Sequence, residues 1–164
     1  MVTNPVSAVP IPASSAGQIV VLVAEDDVGV RLLIWSALRE QGYTVLHARD
    51  GVDALAVARE HGGPIDLLLT DVEMPAIPGC QLYHSLLAQR PHIKTVFLSG
   101  GVSEPSAGTL FLRKPFNLAA LFELINRAAN LAGSGGAEPP LNVCADFQGC
   151  MGERCDSCPW ALRQ

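Results

Sequence analysis

Four short stretches of this chain end in side chains that bind cations or move charged groups. Glu25-Asp26-Asp27 follows one apolar run, Asp71 closes a second, Ser99 closes a third and Lys114 lies just past a fourth. Three carboxylates brought together repel one another unless a cation joins them. Oxygen donors with open positions suit a hard divalent ion such as Mg2+. A lysine adds a compact positive charge and a serine a hydroxyl donor. A site built from Glu25, Asp26, Asp71, Ser99 and Lys114 is therefore suited to a phosphoryl group. The metal, the ammonium and the hydroxyl would all offset its negative charge, and Asp71 would be the nucleophile.

These residues meet only if the elements that carry them are parallel strands ending on one rim. Ile19-Val20-Val21-Leu22-Val23-Ala24 and Ile65 to Thr70 are apolar runs without polar alternation, the pattern of strands buried on both faces of a parallel sheet. Tyr43–His47, Lys94–Leu98 and Leu110–Leu112 read as three further strands. Asp71 then sits just past a carboxyl end, where ligands collect in open α/β sheets. Helices are expected over Val28–Gln41, Gly51–His61, Gly79–Gln89 and from Asn117 to about Leu131. Their inner faces would be Val30, Leu33, Ile34, Ala37 and Leu38; Ala54, Leu55 and Ala58; Leu82, Leu86 and Leu87; and Leu118, Leu121, Leu124, Ile125 and Ala128. Asp27, Asp50 and Asn117 are placed to cap three of them, and Gly42 to end the first in a left-handed turn. Strand and helix alternate through residues 19–132, which predicts an α/β doubly wound parallel sheet.

Elsewhere the composition excludes more than it assigns. With 16 acidic against 11 basic residues and a net charge of -5, the chain offers no electrostatic footprint for nucleic acid or an anionic membrane. No apolar run approaches the roughly 20 residues that span a bilayer. Residues 1–18 contain no Lys or Arg, and Pro5, Pro10 and Pro12 interrupt them. They are expected to be a flexible leader of a cytoplasmic protein, not a secretion signal. Residues 133–140 form a Gly/Ser/Pro linker, and 141–164 a tail with Cys144, Cys150, Cys155 and Cys158. Those four thiolates could hold Zn2+ or an iron–sulfur cluster, act as free redox thiols, or pair as disulfides. Cys80 and Trp35 are expected to serve packing, and the four histidines show no metal-binding spacing.

The motifs Val23-Ala24-Glu25-Asp26-Asp27, Leu69-Thr70-Asp71 with Met74-Pro75 and Pro78-Gly79, Leu98-Ser99-Gly100 and Lys114-Pro115-Phe116 together resemble the receiver domain of two-component response regulators. The resemblance implies a flavodoxin-like five-stranded sheet of order 2-1-3-4-5. It also implies Mg2+ on Glu25, Asp26 and Asp71, and phosphorylation of Asp71 by a sensor histidine kinase, a phosphotransfer protein or a small phosphodonor. Ser99 and Lys114 would bind the phosphoryl oxygens, the Lys114–Pro115 bond would be cis, and Phe111 would occupy an aromatic switch position without a hydroxyl. One departure stands out. Gly100–Thr109 holds three glycines and a proline where the family places a full helix, so the fourth helix is expected to be reduced or missing. Glu73, two residues past Asp71, is placed to reach the site. The expected role is a stand-alone phospho-receiver, not a dedicated enzyme, with output through contact with an unknown downstream protein or as a phosphate sink. The competing reading makes the cysteine tail a metal or redox sensor and the receiver fold its docking platform. A flavin protein of similar fold is disfavoured, because the first strand ends in acids and not in a phosphate-cradling loop.

Overall fold

The computed structural model describes residues 18–101 and 110–130 of the 164-residue chain. The elements run β1 (Val20–Ala24), α1 (Val28–Glu40), β2 (Thr44–Ala48), α2 (Gly51–Glu60), β3 (Leu67–Asp71), α3 (Gly79–Leu87), β4 (Lys94–Ser99), β5 (Leu110–Arg113) and α4 (Leu118–Asn130). All four strand pairings are parallel, and the sheet order is β2-β1-β3-β4-β5. This is the flavodoxin-like order, with four helices among the described residues. Of the Gly100–Thr109 segment expected to replace a helix, residues 102–109 lie outside the described residues, as do residues 1–17 of the expected leader, the linker and the tail.

The unbroken apolar character of the strands has a direct cause. In β1, Leu22 and Ala24 face one cluster, shared with Ala54 and Ala58 of α2 and Leu82, Tyr83 and Leu86 of α3. Val21 and Val23 face the other, shared with Ile34 and Leu38 of α1 and Leu121, Ile125 and Ala128 of α4. A period of two therefore persists, but both faces are dry. Each leucine buried there contributes roughly 1.5–3 kcal/mol relative to exposure. None of the described helices is long and apolar enough to cross a membrane.

The local signals mostly act as expected. Asp27 Oδ1 accepts from Val30 N at 2.9 Å, Asp50 Oδ1 from Asp53 N at 2.8 Å and Asn117 Oδ1 from Ala120 N at 2.8 Å, each satisfying a first-turn amide. Gly42 has φ of 87°. Several expectations shift. β2 lies one residue later than its apolar run, and β3 runs Leu67–Asp71 where Ile65–Thr70 is expected. Leu33 is 49% exposed and not part of the α1 inner face. Tyr83 and His84 join the buried face of α3, which the Leu spacing did not include. Both differences arise because a helix packed on a twisted sheet buries a stripe fixed by its crossing angle, which residue spacing alone does not set.

Sequence reading also missed the clasp at the opposite end of the sheet. Arg90, just before β4, donates to the carbonyls of Ala58 at 2.8 Å, His61 at 3.0 Å and Gly63 at 2.8 Å. One guanidinium thus satisfies carbonyls that the end of α2 leaves without helical partners.

Candidate functional site

Strand register assembles the site. Ala24 of β1 pairs with Thr70 of β3, so Glu25 and Asp71 emerge side by side. Asp71 pairs with Leu98 of β4, and Ser99 pairs with Arg113 of β5. The Lys114 amide then donates to the Ser99 carbonyl at 2.8 Å. Asp71 is thus the last residue of β3, not the first beyond it. The Lys114–Pro115 bond is cis.

Lys114 Nζ lies at the centre of the charge cluster. It donates to Asp71 Oδ2 at 2.6 Å and to Glu25 Oε1 at 2.8 Å. Glu25 Oε2, fully buried, also lies 2.7 Å from this ammonium. Burial pushes the Glu25 carboxyl above its ordinary range despite Lys114. For Lys114 burial works downward, but the hydrogen bonds to Asp71 and Glu25 outweigh it and hold the ammonium's pKa above its usual value. Glu25, Asp26 and Asp71 each offer a carboxylate oxygen, and these oxygens lie within 4.8 Å of one another. An all-oxygen set of three carboxylates, with one ammonium to offset them, fits a hard divalent cation. Asp26 is solvent-exposed, so such an ion would keep access to water.

The backbone around Asp71 is tightly specified. The Glu73 amide donates to Asp71 Oδ1 at 3.0 Å. Met74-Pro75 opens a loop in which Ala76 takes φ of 66°, a conformation that disfavours any residue with a Cβ. Gly79 begins α3 directly against β3. A Cβ there would collide with the Asp71 carbonyl oxygen and come within 2.9 Å of Thr70 Oγ1. The glycine of the Pro78-Gly79 pair is therefore required by packing. The Glu73 side chain is exposed, so its clearest contact with Asp71 is through the main chain.

Ser99 is 3% exposed, and its Oγ accepts from Gly101 N at 3.0 Å. That bond uses the oxygen as acceptor, so the hydroxyl keeps a proton to donate. Phe111 pairs with Phe97 across β4 and β5 and packs, half-buried, on the α2–α3 side of the sheet. Cys80 is buried. The Trp35 ring meets His47 edge-on at 6.4 Å, with the Arg39 guanidinium 4.8 Å from its centroid, a packing role. Cys144, Cys150, Cys155 and Cys158 lie outside the described residues. Arg31 was not singled out by the sequence. It donates from α1 to the carbonyls of Glu25 at 2.6 Å and Asp26 at 3.3 Å. A cation one turn into a helix that follows three acids was the available signal.

Residues 21–126 match the response regulator receiver domain family. The sensor kinase CckA of Brucella abortus is 39% identical over 113 residues, 65% of this chain, and the chain spans only 12% of that kinase's length. The response regulator receiver protein CpdR of the same organism is 32% identical over 114 residues, covering 65% of this chain and 93% of CpdR. The solved structure of the chemotaxis response regulator CheY4 of Vibrio cholerae matches with a TM-score of 0.61 at 28% identity, covering 68% of this chain and 99% of that one.

Proposed function

The chain belongs to the response regulator receiver domain family, and from that premise we propose that it is a phospho-accepting receiver of two-component signalling, modified on Asp71 with Mg2+ held by Glu25, Asp26 and Asp71. The observation that carries the reading is one ammonium, Lys114, bridging two carboxylates on the carboxyl rim of the sheet beside a third. A carboxylate oxygen of Asp71 forms the new bond to phosphorus. The donor's P–N or P–O bond breaks, and its electron pair leaves with the donor, a phosphohistidine or an acyl phosphate. Bound Mg2+ would supply charge neutralisation for the phosphoryl oxygens. Lys114 can turn a proton from a carboxylate toward a phosphoryl oxygen, and the Ser99 hydroxyl proton can meet another. The Glu73 amide orients the Asp71 carboxylate, and α3 packs at Gly79 directly against the Asp71 main chain.

The donor would be a sensor histidine kinase or phosphotransfer protein. The output proposed for this chain is contact with a downstream protein or service as a phosphate sink, with no dedicated enzymatic role. The added charge would bias a two-state equilibrium of the domain. The test is intact-protein mass after incubation with acetyl phosphate, with and without Mg2+, for the wild type and Asp71→Asn. The expected result is one phosphoryl group gained only with Mg2+ and only by the wild type. An unlabelled wild type, under conditions that label an ordinary receiver, overturns the proposal.

A further inference from the structure

The β1–α1 connection is only three residues long, Glu25–Asp27, and two of the three acids at the site come from it. Its constraints are unequal. The Glu25 amide donates to the Ala48 carbonyl at 3.2 Å, and Glu25 Oε1 is fixed by Lys114. The Asp27 side chain caps α1. Asp26 is different. Its side chain is exposed, and among the described residues no hydrogen bond or ion pair holds its carboxylate. What holds the Asp26 main chain is Arg31. One nitrogen, Nη1, reaches back from α1 to the carbonyl oxygens of Glu25 at 2.6 Å and Asp26 at 3.3 Å. Two successive carbonyls drawn to one donor fix the direction of the peptide between them, and so the direction in which the Asp26 side chain leaves the backbone.

We propose that Arg31 is a positioning residue for the divalent-cation site, clamping the Glu25–Asp26 main chain so that both carboxylates converge with Asp71. The inference rests on the metal-binding reading above and deepens it. Charge and position predict opposite outcomes. Arg31 is cationic and half-buried beside a site that collects a cation. Coulomb repulsion alone would make its loss tighten metal binding. If Arg31 acts by holding the acids in place, its loss weakens binding, because groups that orient metal ligands carry about 10–100-fold in affinity.

The test is calorimetric titration of the full chain with Mg2+, comparing wild type, Asp71→Asn, Arg31→Met and Arg31→Lys, with urea unfolding of each in the absence of metal. Arg31→Met keeps the apolar stem and removes the donor. It is expected to bind Mg2+ roughly tenfold more weakly, and Arg31→Lys, which keeps a donor, to fall between. Labelling of Arg31→Met by acetyl phosphate should recover toward the wild-type rate at saturating Mg2+. Equal or tighter Mg2+ binding by folded Arg31→Met overturns the inference. If Arg31→Met does not fold, Arg31→Lys decides by the same criterion: affinity below wild type supports the clamp, and equal affinity overturns it. A wild type that binds no Mg2+ overturns the metal site itself. Binding weakened by Asp71→Asn but not by loss of Arg31 overturns the clamp alone.

Discussion

The two ends of the sheet each place one cation at the meeting point of several chain segments. At the amino end, the Arg90 guanidinium meets three neutral carbonyls, all within 3.0 Å. At the carboxyl end, the Lys114 ammonium meets two carboxylates, with a third nearby. The first arrangement pairs a cation only with neutral acceptors. The second has more negative charge than its one ammonium offsets, so it gains by receiving a further cation. Neutral acceptors around one cation call for no further ion, whereas an excess of carboxylates does.

The sharpest way to break this contrast is to remove each cation in turn. Lys114→Met leaves Glu25 and Asp71 buried without their counter-ion. Breaking a fully buried pair costs about 3–5 kcal/mol, and because the Lys114 side chain is 21% exposed the expected loss near neutral pH is about 3 kcal/mol, measured by urea unfolding. The loss should shrink as acid protonates the carboxylates. In the wild type the raised Lys114 value means that its contribution is fully present below 10.5 and disappears as pH rises through the folded-state value. A variant as stable as wild type at neutral pH would contradict the cluster's charge balance.

Arg90→Ala should cost about 2 kcal/mol, the scale of hydrogen bonds made by a charged group. Carbonyls do not titrate, so that cost should be flat from roughly pH 5 to 8 and unaffected by Mg2+. A Mg2+-dependent loss would mean that the two ends are not independent.

A smaller effect of opposite sign is expected for Glu25→Gln. The Glu25 value is raised in the folded state by burial. Its contribution is therefore fully present below its ordinary value of 4.5 and is lost as pH rises through the folded value. The Gln variant should accordingly be more stable than wild type near neutral pH in the absence of metal, with the difference vanishing in acid, and should lose stabilisation by Mg2+. Thermal unfolding across pH checks this, and a Gln variant less stable at neutral pH would sink it.

Much of the site was legible because receiver motifs sit at strand ends, where an apolar run stops abruptly on a charged residue. Glu25, Asp26, Asp71, Ser99 and Lys114 could be named on that ground alone. Arg31 and Arg90 could not. Their partners are main-chain carbonyls, which carry no sequence identity, and the Arg90 contacts reach as far as 32 positions along the chain. Leu33 and Tyr83 were misplaced or missed for a related reason. Spacing gives the period of a helix but not the rotation at which it docks.

By itself, then, the sequence determined the alternation of strands and helices, the caps at Asp27, Asp50 and Asn117, and which five polar side chains stand at the strand ends, since each depends on residue type and nearby spacing. The tertiary structure alone decided that Glu25 and Asp71 stand level across β1 and β3 and share one ammonium. It also decided that Gly79 must press on the Asp71 carbonyl and that Arg31 takes hold of the acidic turn. Those outcomes follow from strand register and helix docking, which are fixed by packing between residues far apart in the chain.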